Sequence, residues 1–179
     1  MAGVAASPLA RSQEVAVPLD LQVELLAKVA AYDRNFAARA GAEARVVIVR
    51  RPSVADSERV ASHVHAALRA LSAIDGLPPA PSLLDWVDAN AVRDAVKARR
   101  AAIVYFAPGL GDDMASIAKA LDGADVLSAA ASPAYVQKGA VLGFDLVSGK
   151  PKLLVNLGAA RRQNVAFKAE LLKIAKVIE

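Results

Sequence analysis

Two stretches of the chain carry residues of the kinds that hold small ligands. Pro108-Gly109-Leu110-Gly111-Asp112-Asp113 combines two glycines with two carboxylates, directly after the apolar run AAIVYFAP. It therefore sits where a strand hands over to a helix, and in open α/β sheets ligands bind there, outside the carboxyl ends of the strands. A phosphate cradle of the P-loop kind would add a lysine, and a dinucleotide fingerprint would read G-x-G-x-x-G; neither is present. Asp112 and Asp113 would also repel a phosphate, and the plainer account is a glycine turn with an aspartate cap on the next helix. The second stretch holds Ser128, Ser132 and Tyr135, hydroxyl donors on and after the next apolar run. They are placed to hydrogen-bond a small ligand at the same sheet edge as Gly109, although Ser-Pro turns occur widely without a ligand. Gly109, Gly111, Asp112, Ser128, Ser132 and Tyr135 are accordingly the candidate ligand or partner residues.

No catalytic or metal-binding constellation stands beside them. His63 and His65 are the only histidines, and two residues apart on a helix they point about 200° away from each other, so they cannot ligate one metal as an i, i+4 pair does. With so few histidines and no cysteine, a Ser-His-Asp or Cys-His arrangement has little to be built from. A phosphoacceptor domain of similar β-α rhythm needs acidic residues after its first strand and an aspartate after its third. Here those strands end in Arg50-Arg51-Pro52 and Ala107-Pro108. The lone Trp86, flanked by Asp85 and Asp88, either anchors a ligand or partner or closes the edge of the core. No cofactor is expected.

The elements that must position these residues are legible from periodicity. Leu25, Val29, Tyr32 and Phe36 recur as one face of an opening helix that Gly41 ends. RVVIVRR, Arg45 to Arg51, is an unbroken apolar run of the kind a parallel strand covered on both faces requires. Val60, Val64, Leu68 and Leu71 mark the next helix, Ser82 to Val87 a second strand, and Asn90 a candidate cap for a helix carrying Val92 and Val96. Ala101 to Pro108 is the third strand, Met114, Ile117 and Leu121 a helix, and Ala124 to Ala131 the fourth strand. Two strands then follow, Val141 to Val147 and Lys152 to Leu157, joined through Ser148-Gly149-Lys150-Pro151 as a hairpin. Phe167, Leu171, Ile174, Ala175 and Ile178 form the apolar face of a closing helix. Strands alternating with helices imply right-handed crossovers. The expected fold is an α/β/α three-layer sandwich with a mostly parallel sheet, a C-terminal antiparallel hairpin and a closing helix.

At 179 residues, 55% hydrophobic and 22% charged, the chain suits a single globular domain. Domain organisation is read as a lead-in over 1–18 and one domain over 19–179. Net charge is +4, but the basic residues are scattered in pairs without interleaved aromatics, which argues against nucleic acid as a partner. The absence of cysteine excludes disulfides, thiol chemistry and a redox switch. No window approaches the roughly 18 apolar residues of a membrane span. Residues 1–13, MAGVAASPLARSQ, read either as the tail of a secretory signal near its cleavage site or as an unstructured lead-in.

From Asp125 onward the sequence resembles the C-terminal half of the YfiR-like domain family, also called DUF4154. The resemblance rests on Val126-Leu127-Ser128, on Gly139 before the hairpin, on Asn156, Leu157, Ala159, Ala160 and Arg161 at its end, and on Leu171, Leu172, Ile174, Ala175 and Val177. Further back, Tyr32, Asn35 and Phe36 match the family's opening helix, whereas its aromatic-rich continuation is replaced by Ala37 to Ala44. The resemblance implies a periplasmic α/β regulatory or sensor domain without enzymatic activity. Its implied partner is the extracytoplasmic part of a membrane signalling protein such as a diguanylate cyclase or a sensor kinase, with a homodimer also open. The alternative is a small-molecule-binding module similar to half of a periplasmic solute-binding protein, built on the loops at Pro108 to Asp113 and Ser128 to Tyr135.

Overall fold

The computed structural model describes residues 15–179, so the expectations for residues 1–13 and most of the lead-in lie outside it. Chain order is α1 (Leu19–Ala30), α2 (Phe36–Ala40), β1 (Ala44–Arg50), α3 (Ala55–Ala70), β2 (Pro79–Asp85), α4 (Ala89–Ala98), β3 (Ile103–Phe106) and α5 (Met114–Ala120). It continues through β4 (Leu127–Ala130), α6 (Ala134–Gln137), β5 (Leu142–Val147), β6 (Lys150–Asn156), α7 (Leu157–Arg162), α8 (Ala169–Ile174) and β7 (Lys176–Ile178). All strands join one sheet in the order β2-β1-β3-β4-β5-β6-β7. The first five in chain order are parallel, β6 runs antiparallel to β5, and β7 pairs parallel to β6.

The apolar run read as a doubly covered strand, Arg45 to Arg51, is doubly covered. Along β1, Val46 and Ile48 pack into the core shared with Leu26, Val64 and Leu68 of α1 and α3. Val47 and Val49 point the other way, onto Val92 and Val96 of α4 and Met114 and Ile117 of α5. The same alternation recurs on β3, with Ile103 and Tyr105 on one side and Val104 and Phe106 on the other. With period-2 alternation, both faces must be apolar before helices can cover both, and that composition fixes the three layers.

The hairpin is tighter than the spacing predicts. Its turn is two residues, Ser148 and Gly149, both at positive φ (53° and 74°), and Val147 pairs directly with Lys150. Two left-handed residues give the twist that matches flanking strands. Pro151 consequently lies within β6, opposite Leu146. One step from the closing pair, its nitrogen faces away from β5, and β7 reaches only Leu154 to Asn156. No ladder bond is lost there.

Three other expectations are corrected. The opening helix stops at Ala30 and resumes at Phe36, because the Asp33 carboxylate accepts the Asn35 and Ala166 amides (3.1 and 3.0 Å) instead of lying on a helix surface; Tyr32 is left 39% exposed. The cap of α4 is Asp88, whose side chain accepts the Ala91 amide at 2.8 Å, and not Asn90, which lies inside the helix. The closing helix is only six residues long, and the chain then extends as β7. The open edge of β6 offers backbone partners that Val177 and Ile178, both β-branched, take up beside Val155 and Asn156.

Candidate functional site

Strand order reverses between β1 and β3, so the carboxyl ends of these two strands diverge into the crevice where such sheets take ligands. Arg51, one residue past β1, spans it. Its backbone amide donates to Ser57 Oγ at 2.8 Å, which fixes the strand end against α3. Its Nε donates to the Gly109 carbonyl at 2.6 Å, and its guanidinium pairs with the Asp113 carboxylate. The same guanidinium lies 5.6 Å from the centre of the Trp86 ring, a cation–π geometry. Trp86 is held by its own amide, which donates to the Arg50 carbonyl at 2.7 Å, and Arg50 pairs with Asp85 at 2.7 Å. Gly109 has φ +90°, a conformation that favours glycine, and it turns the chain so that its carbonyl faces Arg51.

On the far side of this loop the structure brings Gly109, Gly111 and Tyr135 together. The Tyr135 hydroxyl accepts from the Leu110 amide at 2.9 Å, and a Cβ on Gly111 would stand 3.4 Å from the Tyr135 ring. Lys138 Nζ donates to the Gly111 carbonyl at 2.9 Å. Asp112 is exposed on the loop, while its neighbour Asp113 is the carboxylate that meets Arg51. Ser128 is buried within β4, and its hydroxyl accepts from the Val141 amide at 3.0 Å, a bond that ties β4 to the entry of β5. Ser132 is also buried, and its carbonyl accepts from the Tyr135 amide at 3.2 Å. Of the six candidates, three therefore meet at one loop, one lies beside it in solvent, and the two serines are placed in the packed layers.

Arg51 and Lys138 are participants that sequence reasoning passed over, and Asp113, read there only as part of the glycine-aspartate turn, is the carboxylate that meets Arg51. The signal for Arg51 was the basic pair at the end of the first strand, which gains meaning only once strand order puts it opposite Gly109. A second polar centre was missed altogether. Asp33, whose side chain is fully buried, pairs with Arg39 at 2.6 Å. Arg39 also reaches Asp125 at 2.8 Å and the Asn164 carbonyl at 2.9 Å. Asn35 Nδ2 donates to the same carbonyl at 2.8 Å. These bonds tie the break between α1 and α2 to the entry of β4 and to the chain beyond α7. The histidines stay apart, as their spacing requires: His63 pairs with Asp20 at 2.7 Å, and among the described residues no group of three metal-ligating side chains forms.

A family model described as YfiR/HmsC-like matches residues 21–176, from within α1 to the first residue of β7. No curated protein matches the sequence. Solved structures match the fold at low identity. One is a conserved domain protein from Vibrio cholerae, with TM-score 0.63 and 14% identity over 90% of this chain and 60% of that one. A second is an ABC domain in complex with L-Trp from Streptococcus pneumonia, with TM-score 0.64 and 11% identity over 90% of this chain and 62% of that one. A third is the ligand-free, open structure of a substrate-binding protein with adhesive properties from Clostridium difficile, with TM-score 0.62 and 13% identity over 91% of this chain and 60% of that one. The chain thus spans about three fifths of the length of these structures, and the likeness is one of fold.

Proposed function

Because the chain belongs to the YfiR/HmsC-like family, we propose that it is a non-enzymatic periplasmic regulatory domain that binds the extracytoplasmic part of a membrane signalling protein, such as a diguanylate cyclase or a sensor kinase. The observation that carries this reading is the extent of the family match, which takes in α2 through α8 and six complete strands of the sheet. Among the described residues no helix is long and apolar enough to cross a membrane. The carboxyl edge of the sheet is the face assigned to that contact. Val87, past the end of β2, and Leu146 and Val147, at the end of β5, are exposed large hydrophobics, and the parallel course of β2 and β5 brings both strand ends to that edge. Between them the Arg51 crevice is spanned by the chain's own side chains.

Affinity capture from detergent-solubilised membranes checks this. The expected result is reproducible recovery of one membrane protein carrying a cyclase or kinase output, lost with the Val87→Asp, Leu146→Asp, Val147→Asp triple variant and retained with Ile174→Asp on α8. Recovery indifferent to the triple variant would overturn the assignment of the face.

A second reading, a small-molecule module, is favoured by one observation: a guanidinium stacked on an indole at the switch-point crevice. A ligand carboxylate replacing Asp113 on Arg51 would change the emission of Trp86, the only tryptophan. At 100 times its dissociation constant such a ligand would stabilise the fold by about 2.7 kcal/mol. A thermal-shift screen of carboxylate metabolites that moves neither melting point nor emission would remove this reading.

A further inference from the structure

A cavity of about 420 Å³ opens at the opposite, amino edge of the sheet, where α4 and α5 end and β3 and β4 begin. Its apolar lining comes from Val96, Ala101, Ala120 and Ala124. Above that lining α4 presents Arg93 and Lys97, one turn apart at i and i+4 on the same side of the helix, and Arg100, just past the helix end, also lines the cavity. The remaining charges in the wall are already matched. Arg93 pairs with Asp94 at 3.0 Å, Asp122 with Arg162 at 3.2 Å, and Asp125 with Arg39 at 2.8 Å. Lys97 and Arg100 are left without an ion pair among the described residues, beside an apolar recess whose volume falls in the range of small-molecule sites.

Arg100 is also held in an unusual backbone state. The Arg100 amide donates to the Lys97 carbonyl at 3.2 Å and the Ala101 amide to the Val96 carbonyl at 2.9 Å, the two bonds that close a helix through a left-handed residue. Arg100 has φ 52°, where glycine would sit without steric cost. An arginine in that place brings a cation to the cavity mouth.

We propose that this cavity binds a small amphipathic anion, a carboxylate or phosphate on an apolar body, with Lys97 and Arg100 holding the anionic group and the alanine and valine lining holding the body. The inference is independent of the partner-binding face at the other edge. Cations at the end of α4 also offset its exposed carbonyls, so the test must separate that role from ligand binding. Titration calorimetry on the full chain, below micellar concentrations, would use decanoate and decyl phosphate as probes and decyltrimethylammonium as the control. The expected result is saturable one-to-one binding of at least one anion, the tighter of the two naming the headgroup, and none of the cation. Arg100→Gly and Lys97→Gln should each weaken binding about tenfold, while Arg100→Gly melts at or above the wild-type temperature because glycine suits that backbone. Failure of both anions to saturate, equal binding of the cation, or unchanged affinity in both variants would overturn the proposal.

Discussion

Tyr105 is the clearest case of one residue whose environment sets its chemistry. It stands in the middle of β3, fully buried, and its hydroxyl donates to Gln22 Oε1 at 2.8 Å. Gln22 in turn donates to the Val17 carbonyl at 3.0 Å and the Ala131 carbonyl at 3.3 Å. Burial pushes the Tyr105 phenol above its ordinary value near 10, because the phenolate would lose its hydration. A raised folded-state value means the neutral form is favoured by folding. The stabilisation is fully present below about pH 10, the unfolded value, and is lost as pH rises further. Tyr105→Phe should cost about 1–3 kcal/mol in urea unfolding, since it strands the Gln22 acceptor, and should flatten the alkaline fall in stability. Arg39 makes a second residue-scale prediction. Removing it leaves the buried Asp33 carboxylate uncompensated, so Arg39→Ala should cost about 3–5 kcal/mol, measured the same way. Little of this polar wiring was legible in the sequence. Gly109, Gly111 and Tyr135 could be named from turn chemistry and hydroxyl placement, but Arg51, Asp113 and Asp33 acquire partners 58, 62 and 133 residues away in the chain, and no local pattern encodes such distances.

At the scale of elements, periodicity was a reliable guide wherever two apolar faces were needed and a poor one where a segment sits at a margin. The runs that became β1 and β3 were read as strands, the first as one covered on both faces, and both lie inside the sheet with apolar residues on either side. Phe167 to Ile178 has a helical apolar face, yet its last residues became β7, since the vacant edge of β6 offered hydrogen bonds that the helix did not outweigh. Asn156 shows how the hairpin is tied into this end. Its side chain accepts the Ala159 amide at 2.9 Å, capping α7, and donates to the Val136 carbonyl at 2.8 Å on α6. Gly143 makes the packing of β5 on α6 testable. A Cβ there would stand 2.3 Å from Val136 Cγ2, closer than the packing allows. Gly143→Ala should therefore lower stability by about 1–3 kcal/mol, and Val136→Ala added to it should restore part of that loss. A double-mutant cycle measured by chemical denaturation checks both signs. Additive costs would contradict the contact.

At the scale of the whole molecule, the two edges of the sheet differ in character. The carboxyl edge carries Arg51 locked to Gly109, Asp113 and Trp86, with exposed Val87, Leu146 and Val147 at its two ends. The amino edge carries a recess with unmatched cations. The family resemblance could be recognised from ordered short matches at both ends of the sequence, and the match over residues 21–176 establishes it. What the sequence could not show is which surface remains after folding, because exposure of Leu146 and Val147 depends on how far the hairpin outruns its neighbours: β4 reaches only Leu142 and Gly143, and β7 only Leu154 to Asn156. The central claim, partner binding through the carboxyl edge, is tested most directly by the affinity of the full chain for the extracytoplasmic part of the membrane protein it captures. The account predicts that the Val87, Leu146 and Val147 triple Asp variant, melting at the wild-type temperature, binds at least about 30-fold more weakly, the loss expected when anchor side chains worth 2 kcal/mol or more are removed. An unchanged dissociation constant for that variant would contradict it.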